Sequence, residues 1–275
     1  MLFISSIIMV YAQHIVEYSA REHAFFRVNQ LNDFSDRFNR VESSSFLNYI
    51  KKRGDESSEV TRDVLLYSLF HNNGKKMEEA LKDKFINHII FNNVKISENT
   101  ENWYAKVNCL FTYQERELDL DLVLKFVHDT KFDGYKWEIV KVEKLKNRKT
   151  KKIPSKKHLS GNDEKRVISP VSNEVHFIDL RRYLSDLEHL TDYFIPIRNE
   201  NEQNFILQLQ SEKLKFEQVN EISYHFLQLE GWIFKVAYID QNKLNPKNTG
   251  WLMTHISEAD HIQKNKYKHE ELYFE

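Results

Sequence analysis

An α+β fold, with helices packed on curved antiparallel sheets, is predicted by three observations. The apolar period changes along the chain, from every third or fourth residue in some stretches to every second residue in others. The helical stretches come first and the strands after, and this order occurs twice. Glycine and proline are scarce, 6 and 4 in 275 residues, so the chain is mostly regular structure with few special turns.

The first stretch carries Leu2, Phe3, Ile4, Ile7, Ile8, Met9 and Val10 and closes on Val10-Tyr11-Ala12. This is the apolar region and small-residue end of a secretory signal peptide over residues 1–13, with cleavage expected after Ala12. It is too short to span a bilayer core of roughly 30 Å. No Lys or Arg precedes the apolar run. A periplasmic or secreted protein is expected.

Three helices follow. Phe25, Val28, Leu31, Phe34, Phe38 and Val41 share one helical face. Val64, Leu65 and Leu69 form a second apolar side, closed by Asn72-Asn73-Gly74. Met77, Leu81, Phe85, His88 and Ile89 form a third. The period then becomes two. Trp103, Ala105, Val107, Cys109, Phe111 and Tyr113 line one side of a strand. Over 115–128 the even positions Leu118, Leu120, Leu122, Leu124 and Phe126 oppose Glu115, Glu117, Asp119 and Asp121. Asp133-Gly134 signals a hairpin, and the strand over 137–145 returns. Its apolar residues change parity between Ile139 and Val140, which predicts a bulge.

Between 141 and 157 lie nine basic residues, followed by Ser160, Gly161, Asn162 and Asp163. Residues 146–169 read as a basic linker or long loop. They separate an α+β unit over 14–145 from a second, smaller one over 170–275. In the latter a helix is expected over 173–194, with Leu180, Leu184, Leu187 and Leu190 on one face and Ser172 as its cap. A second helix is expected over 202–214. Strands follow over 216–229, 232–239 and 251–256, the last two joined by a polar loop. Gly250 suggests a positive φ or a close backbone approach, and Trp251 is expected to pack on Trp232. The tail pair His261 and His269 sits among Lys264, Lys266 and Lys268 and reads as a charged, frayed end.

Helices followed by a long curved antiparallel sheet ending in Trp137-Glu138-Ile139-Val140-Lys141-Val142 resemble the cystatin-like roll. More narrowly, they resemble the nuclear transport factor two-like superfamily, which includes the polyketide cyclases. Several short runs are similar to a family of uncharacterised exported proteins of Gram-negative bacteria. They are Asp36-Arg37-Phe38-Asn39, Leu66-Tyr67-Ser68-Leu69-Phe70, Ile168-Ser169-Pro170-Val171-Ser172-Asn173-Glu174 and Asn248-Thr249-Gly250-Trp251-Leu252-Met253. They are scattered over most of the mature chain and none is a chemical motif. The resemblance implies a scaffold that often encloses a cone-shaped pocket between helix and sheet. It brings no catalytic residue, and a scaffold shared by enzymes, carriers and interaction modules does not fix function.

Composition narrows the function classes. Lys plus Arg number 40 and Asp plus Glu 41, so no global field steers a nucleic acid or an anionic membrane. The single Cys109 excludes an internal disulfide, a Cys-based zinc site and a CxxC pair. Twelve histidines include no HExxH, and no metal or cofactor is expected. No later segment is apolar for 18 residues, so no stable membrane anchor is expected after cleavage.

The acidic stripe Glu115, Glu117, Asp119 and Asp121 has carboxylates for acid–base chemistry, but its period is that of a solvated sheet face. The basic run has the charge for phosphate or a polyanionic sugar, but lacks the interleaved aromatics of a single-strand platform. The leading expectation is a non-catalytic exported binding or scaffold protein of the bacterial envelope. Its partner is a protein or a small molecule, and homodimerisation would use an open sheet face. Trp137 and Trp251 are candidates for ligand or partner contact. The alternative is a small-molecule lyase, isomerase or hydrolase with its site inside the first-half roll. Its base or acid would be His128, at the end of the apolar strand face, with Tyr113 and Asp121 as further candidates. Asp121 has the weaker claim, because its parity puts it on the opposite face.

Overall fold

A computed structural model describes residues 27–52, 60–71, 77–97, 102–129, 133–143, 166–195, 200–241 and 248–274. The expected signal peptide, Phe25, the body of the basic segment (144–165) and most of the loop before Gly250 lie outside the described residues.

The first helices are α1 (Leu31–Asn39), α2 (Ser45–Lys52), α3 (Arg62–Ser68) and α4 (Glu79–Phe91). The apolar face expected of α1 is buried through Leu31, Phe34 and Phe38. The helix is shorter than its sequence period, because Arg40 turns into the left-handed region at φ 52° and closes it before Val41. Val28 is also outside it, and bonds instead to the backbone around Gly250.

Three antiparallel strands follow: β1 (Trp103–Tyr113), β2 (Arg116–Asp129) and β3 (Gly134–Val142). In β1 the odd positions are buried as the alternation requires. Gln114 and Glu115, at φ 48° and 66°, form the two-residue turn between Tyr113 and Arg116. Two successive positive φ values match the right-handed twist of a hairpin. Asp133 at φ 46° leads into Gly134, which pairs with Asp129. The expected bulge is present: Val123 pairs with Lys141 and Leu124 with Ile139, leaving Val140 as the extra residue.

The helix expected over 173–194 is replaced by short pieces. A 3-10 turn spans Pro170–Asn173, α5 spans Leu180–Ser185, and a second 3-10 turn spans Leu190–Tyr193. His176 and Phe177 have φ 53° and 52°, which no helix accommodates. Ser172 is not a helix cap: its Oγ donates to the Asp179 carboxylate at 2.8 Å. Next come α6 (Glu200–Gln210) and β4 (Leu214–Phe226), so Leu214 opens a strand rather than closing a helix. The last elements are β5 (Trp232–Ile239), β6 (Gly250–Glu258) and α7 (His261–Leu272). The tail expected to fray is helical. Asp260 accepts from the Gln263 amide at 2.8 Å and its own amide donates to the Gln263 side chain at 2.8 Å. That is a capping box, satisfying the free end of α7 from both sides.

The chain forms two compact units, one from Met1–Ser97 with Leu229–Glu258 and the other from Glu98–Gln228 with Ala259–Glu275. These are interleaved in sequence, unlike the consecutive units expected over 14–145 and 170–275. The reason is strand pairing. β4, which follows the basic segment, runs antiparallel to β1, which precedes it, from Trp103↔Phe226 to Tyr113↔Leu214.

In the first unit, α1 and α4 bring Phe34, Phe38 and Phe85 onto Trp232 and Phe234 of β5, with ring centroids 5.1 Å apart for Phe85–Trp232 and 5.8 Å for Phe38–Phe234. β5 pairs with β6 and the edge of β6 is taken up by short bridges to Val28 and Phe70. Gly250 meets both conditions its sequence position suggested. Its φ is +95°, and a Cβ there would lie 2.0 Å from the Val28 carbonyl oxygen.

In the second unit, the strand order is β3-β2-β1-β4. One face holds Trp103, packed edge-on to Trp137 at 5.1 Å and stacked on Phe226 at 5.6 Å. Phe177 closes on Trp137 at 5.2 Å, and Phe205 of α6 on Phe111 at 5.6 Å. The opposite face is polar and carries α7.

Candidate functional site

The side chains proposed from sequence for chemistry do not converge. His128 ends β2 opposite Tyr135, with its side chain 41% exposed, its Nε2 3.3 Å from the Asp133 carboxylate and its ring 4.9 Å from that of Tyr135. Tyr113 is buried beside the turn at the other end of the β1–β2 hairpin, opposite Arg116. Arg116 and His128 are separated by roughly 40 Å of extended β2. Asp121 is on the polar face, paired with Asn108. Trp137 is fully buried and its Nε1 donates to the Pro170 carbonyl at 3.2 Å. Trp251 is buried too, but packs edge-on to Tyr238 at 5.4 Å. The β5–β6 register opposes Trp232 to Glu258 and Tyr238 to Trp251, so the expected Trp232–Trp251 contact is not made.

Several sequence-specific runs are taken up by internal architecture. In the run 248–253, buried Asn248 donates to the Ser68 carbonyl at 3.0 Å, and the Thr249 carbonyl accepts from the Val28 amide at 2.9 Å. In the run 36–39, Asn39 holds both the carbonyl and the amide of Ile96, at 2.7 and 2.9 Å. Arg37 is buried against the Phe46 ring at 4.1 Å, and burial lowers its pKa to about 10. The buried Cys109 thiol is pushed up by burial and by the Asp121 carboxylate.

Two polar clusters, both in the second unit, are built from residues distant in sequence. The first is on the polar face of β1, β2 and β4. Lys106 Nζ is 3.1 Å from Asp121 Oδ2, donates to the Glu271 carbonyl at 3.1 Å and sits over the Tyr273 ring at 4.7 Å. Asp121 accepts from Asn108 at 2.8 Å and from the Tyr273 hydroxyl at 2.7 Å. Burial pushes the Asp121 carboxyl up, but these two hydrogen bonds and the Lys106 ammonium outweigh it and hold its pKa below the ordinary value. The same geometry pushes the Tyr273 phenol up, by burial first and then by Asp121. Beside this pair, His225 is fully buried, with Ser223 Oγ 2.9 Å from its Nε2 and the Tyr267 hydroxyl 2.7 Å from its Nδ1. One ring nitrogen donates and the other accepts in the neutral imidazole, and hydroxyls serve both. Burial and then Glu271 push the Tyr267 phenol up.

The second cluster centres on Asp186. Its Oδ2 accepts from Arg166 at 3.0 Å and from the Tyr193 hydroxyl at 2.9 Å, and its Oδ1 is 3.1 Å from His189 Nδ1. Burial raises the Asp186 pKa, but His189, Tyr193 and Arg166 bring it below the ordinary value. The Tyr193 phenol is pushed up to about 12, by burial and then by Asp186. A carboxylate that fixes one imidazole nitrogen orients the ring for binding or proton transfer. This cluster lies outside the residues that the sequence singles out. Its signal was the spacing of Asp186, His189 and Tyr193, three and then four residues apart, which aligns side chains on one side of a helical stretch.

Next to this cluster in sequence, Val171, Val175 and Ile178 point into solvent, Ile178 at 74% exposure, while Ser172, Phe177 and Leu180 of the same segment are buried. Among the described residues, no group of three or more His, Cys, Asp and Glu comes together to hold a metal ion. No helix among them is long and apolar enough to cross a membrane.

The described residues define an α+β protein with two polar clusters, one around Asp121 and one around Asp186. No protein-family model, curated protein or solved structure matches the chain.

Proposed function

We propose that this protein is a non-catalytic exported binding or scaffold protein of the bacterial envelope, and that it engages a protein partner. The observation that carries this reading is the exposed apolar ridge of Val171, Val175 and Ile178. Their segment is fixed from beneath by Phe177 and Leu180, so the ridge is held in place rather than left to collapse. The partners found for Asp121, His225 and Asp186 support the same reading, because each meets its hydrogen-bonding needs inside the fold. The resemblance to a cystatin-like roll belongs with it, since that scaffold serves interaction as well as catalysis. Export rests on the apolar run that ends at Ala12.

The test compares wild-type protein with the double variant Val175→Asp, Ile178→Asp as bait in a bacterial envelope extract. Species retained by wild type are expected to be lost by the variant, with an unchanged melting temperature. Equal retention by both removes the ridge as the binding surface. Turnover or strong stabilisation in a small-molecule thermal-shift screen moves the assignment to an enzyme. For export, N-terminal sequencing of protein from envelope or medium is expected to begin at Gln13. Full-length chain recovered only from cytosol rejects it.

A further inference from the structure

α7 is held to its sheet face by polar contacts where a helix of this length ordinarily relies on apolar burial. Of its 12 residues only Leu272 is buried, whereas α4, with 13, buries Phe85, Ile86 and Ile89. Its attachments include individual hydrogen bonds and the contact of Lys268 with the Tyr104 ring at 5.7 Å. Lys264 Nζ donates to the Leu227 carbonyl at 2.9 Å, the Tyr267 hydroxyl meets His225 at 2.7 Å, and Lys268 Nζ donates to Asn102 at 3.3 Å. Below its end, Lys106 holds the Glu271 carbonyl, Tyr273 holds Asp121, and Phe274 lies on Tyr104 with centroids 5.4 Å apart.

On release each of these bonds is exchanged for one with water, so its net hold is small. The apolar groups returned to water are Leu272 and the rings of Tyr267, Tyr273 and Phe274. Within the helix itself a single side chain is fully buried, so the hydrophobic term that locks most helices in place rests mainly on its C-terminal end. The other face of the same strands is held by stacked tryptophan and phenylalanine rings. The sheet therefore has its own source of stability, independent of α7. Local opening is expected where apolar contacts are few and polar ones many.

We infer that α7 with Tyr273 and Phe274 is a detachable strap. It opens as a unit while the sheet stays folded, and it uncovers a polar cradle built from Lys106, Asn108, Asp121, Ser223 and His225. Closed, it fills that cradle with its own phenols and main-chain carbonyl, as an autoinhibitory segment does. The cradle presents an ammonium, a carboxylate and an imidazole together. It suits a ligand that offers hydroxyl and carbonyl groups, such as a second peptide segment of the same kind.

The test is hydrogen–deuterium exchange of the full chain under native conditions. Amides of α7 are expected to exchange about 100-fold faster than those of β1. Tyr273→Phe removes one hydroxyl and little volume. It is expected to speed exchange in α7 by several-fold while leaving β1 unchanged. Asp121→Asn, read the same way, is expected to act in the same direction. The inference fails if α7 and β1 exchange at one common rate. It also fails if Tyr273→Phe and Asp121→Asn both leave α7 unaltered, or if they accelerate both elements together.

Discussion

On one face of β1, β2, β3 and β4 lie Trp103, Phe126, Trp137 and Phe226, with Trp103 in ring contact with the other three. On the other, one residue away along the same strands, lie Lys106, Asp121, Asn108 and His225. The first face excludes water and is stabilised by area and close packing, which are cooperative and hard to undo in parts. The second is stabilised by paired polar groups, each competing with water, and it is covered by one helix that buries a single residue fully. A sheet can thus be rigid through one side and adjustable on the other. Alternation at period two supplies both sides from one stretch of sequence.

The largest test of this difference is Trp103→Ala. It removes the ring that touches Trp137, Phe126, Tyr224 and Phe226, and should cost about 3–5 kcal/mol in chemical denaturation. A loss under about 1 kcal/mol would mean that the apolar face is not what stabilises the sheet.

Lys106→Met should cost less, about 1–2 kcal/mol, because it leaves the Asp121 carboxylate without its cation in a site only partly open to water. Adding Asp121→Asn should recover part of that loss, and a double-mutant cycle reads the coupling directly. Strict additivity of the two would show that the pair contributes no more than its separate hydrogen bonds.

Asp121→Asn alone should cost about 1 kcal/mol, and its effect should depend on pH. The native pKa of Asp121 lies below the unfolded value of about 3.8. Its contribution is therefore complete above that value and is lost as pH falls through the lower native one. Denaturation midpoints of wild type and variant should differ steadily above about pH 5 and converge in stronger acid. Convergence on the alkaline side instead would assign the effect to a different group. Glu117→Gln, on the exposed part of the acidic stripe, should change stability by less than about 0.5 kcal/mol. A larger change there would extend the polar site toward the β1–β2 turn.

Much of the fold is legible in the sequence. The alternation over β1 fixes which residues are buried, because a one-residue slip would move every apolar side chain to the wrong face. The parity change at Ile139 and Val140 locates the bulge, and Gly250 marks a backbone approach that no side chain tolerates. The helix expected over 173–194 fails where His176 and Phe177 adopt positive φ. Leucine spacing alone does not reveal that break, because the buried leucines keep their spacing through short turns. The Asp186 cluster was hidden for a related reason, since Arg166 reaches it from the far side of that break.

α7 is not legible in the sequence, because charge and low apolar content ordinarily mark a frayed end and its support comes from strands distant in sequence. The sequence by itself determined the α+β class, the two faces of the strands and the glycine that β6 requires. Each follows from short-range periodicity or backbone sterics. Only the tertiary structure decided that β4 joins β1, that compact units interleave, and that Tyr267 and Tyr273 find His225 and Asp121. Those outcomes depend on pairing between residues more than a hundred positions apart along β1 and β4 or between β2 and the tail, and about forty apart for His225 and Tyr267. Local propensity carries no information about which distant partner will satisfy a buried polar group.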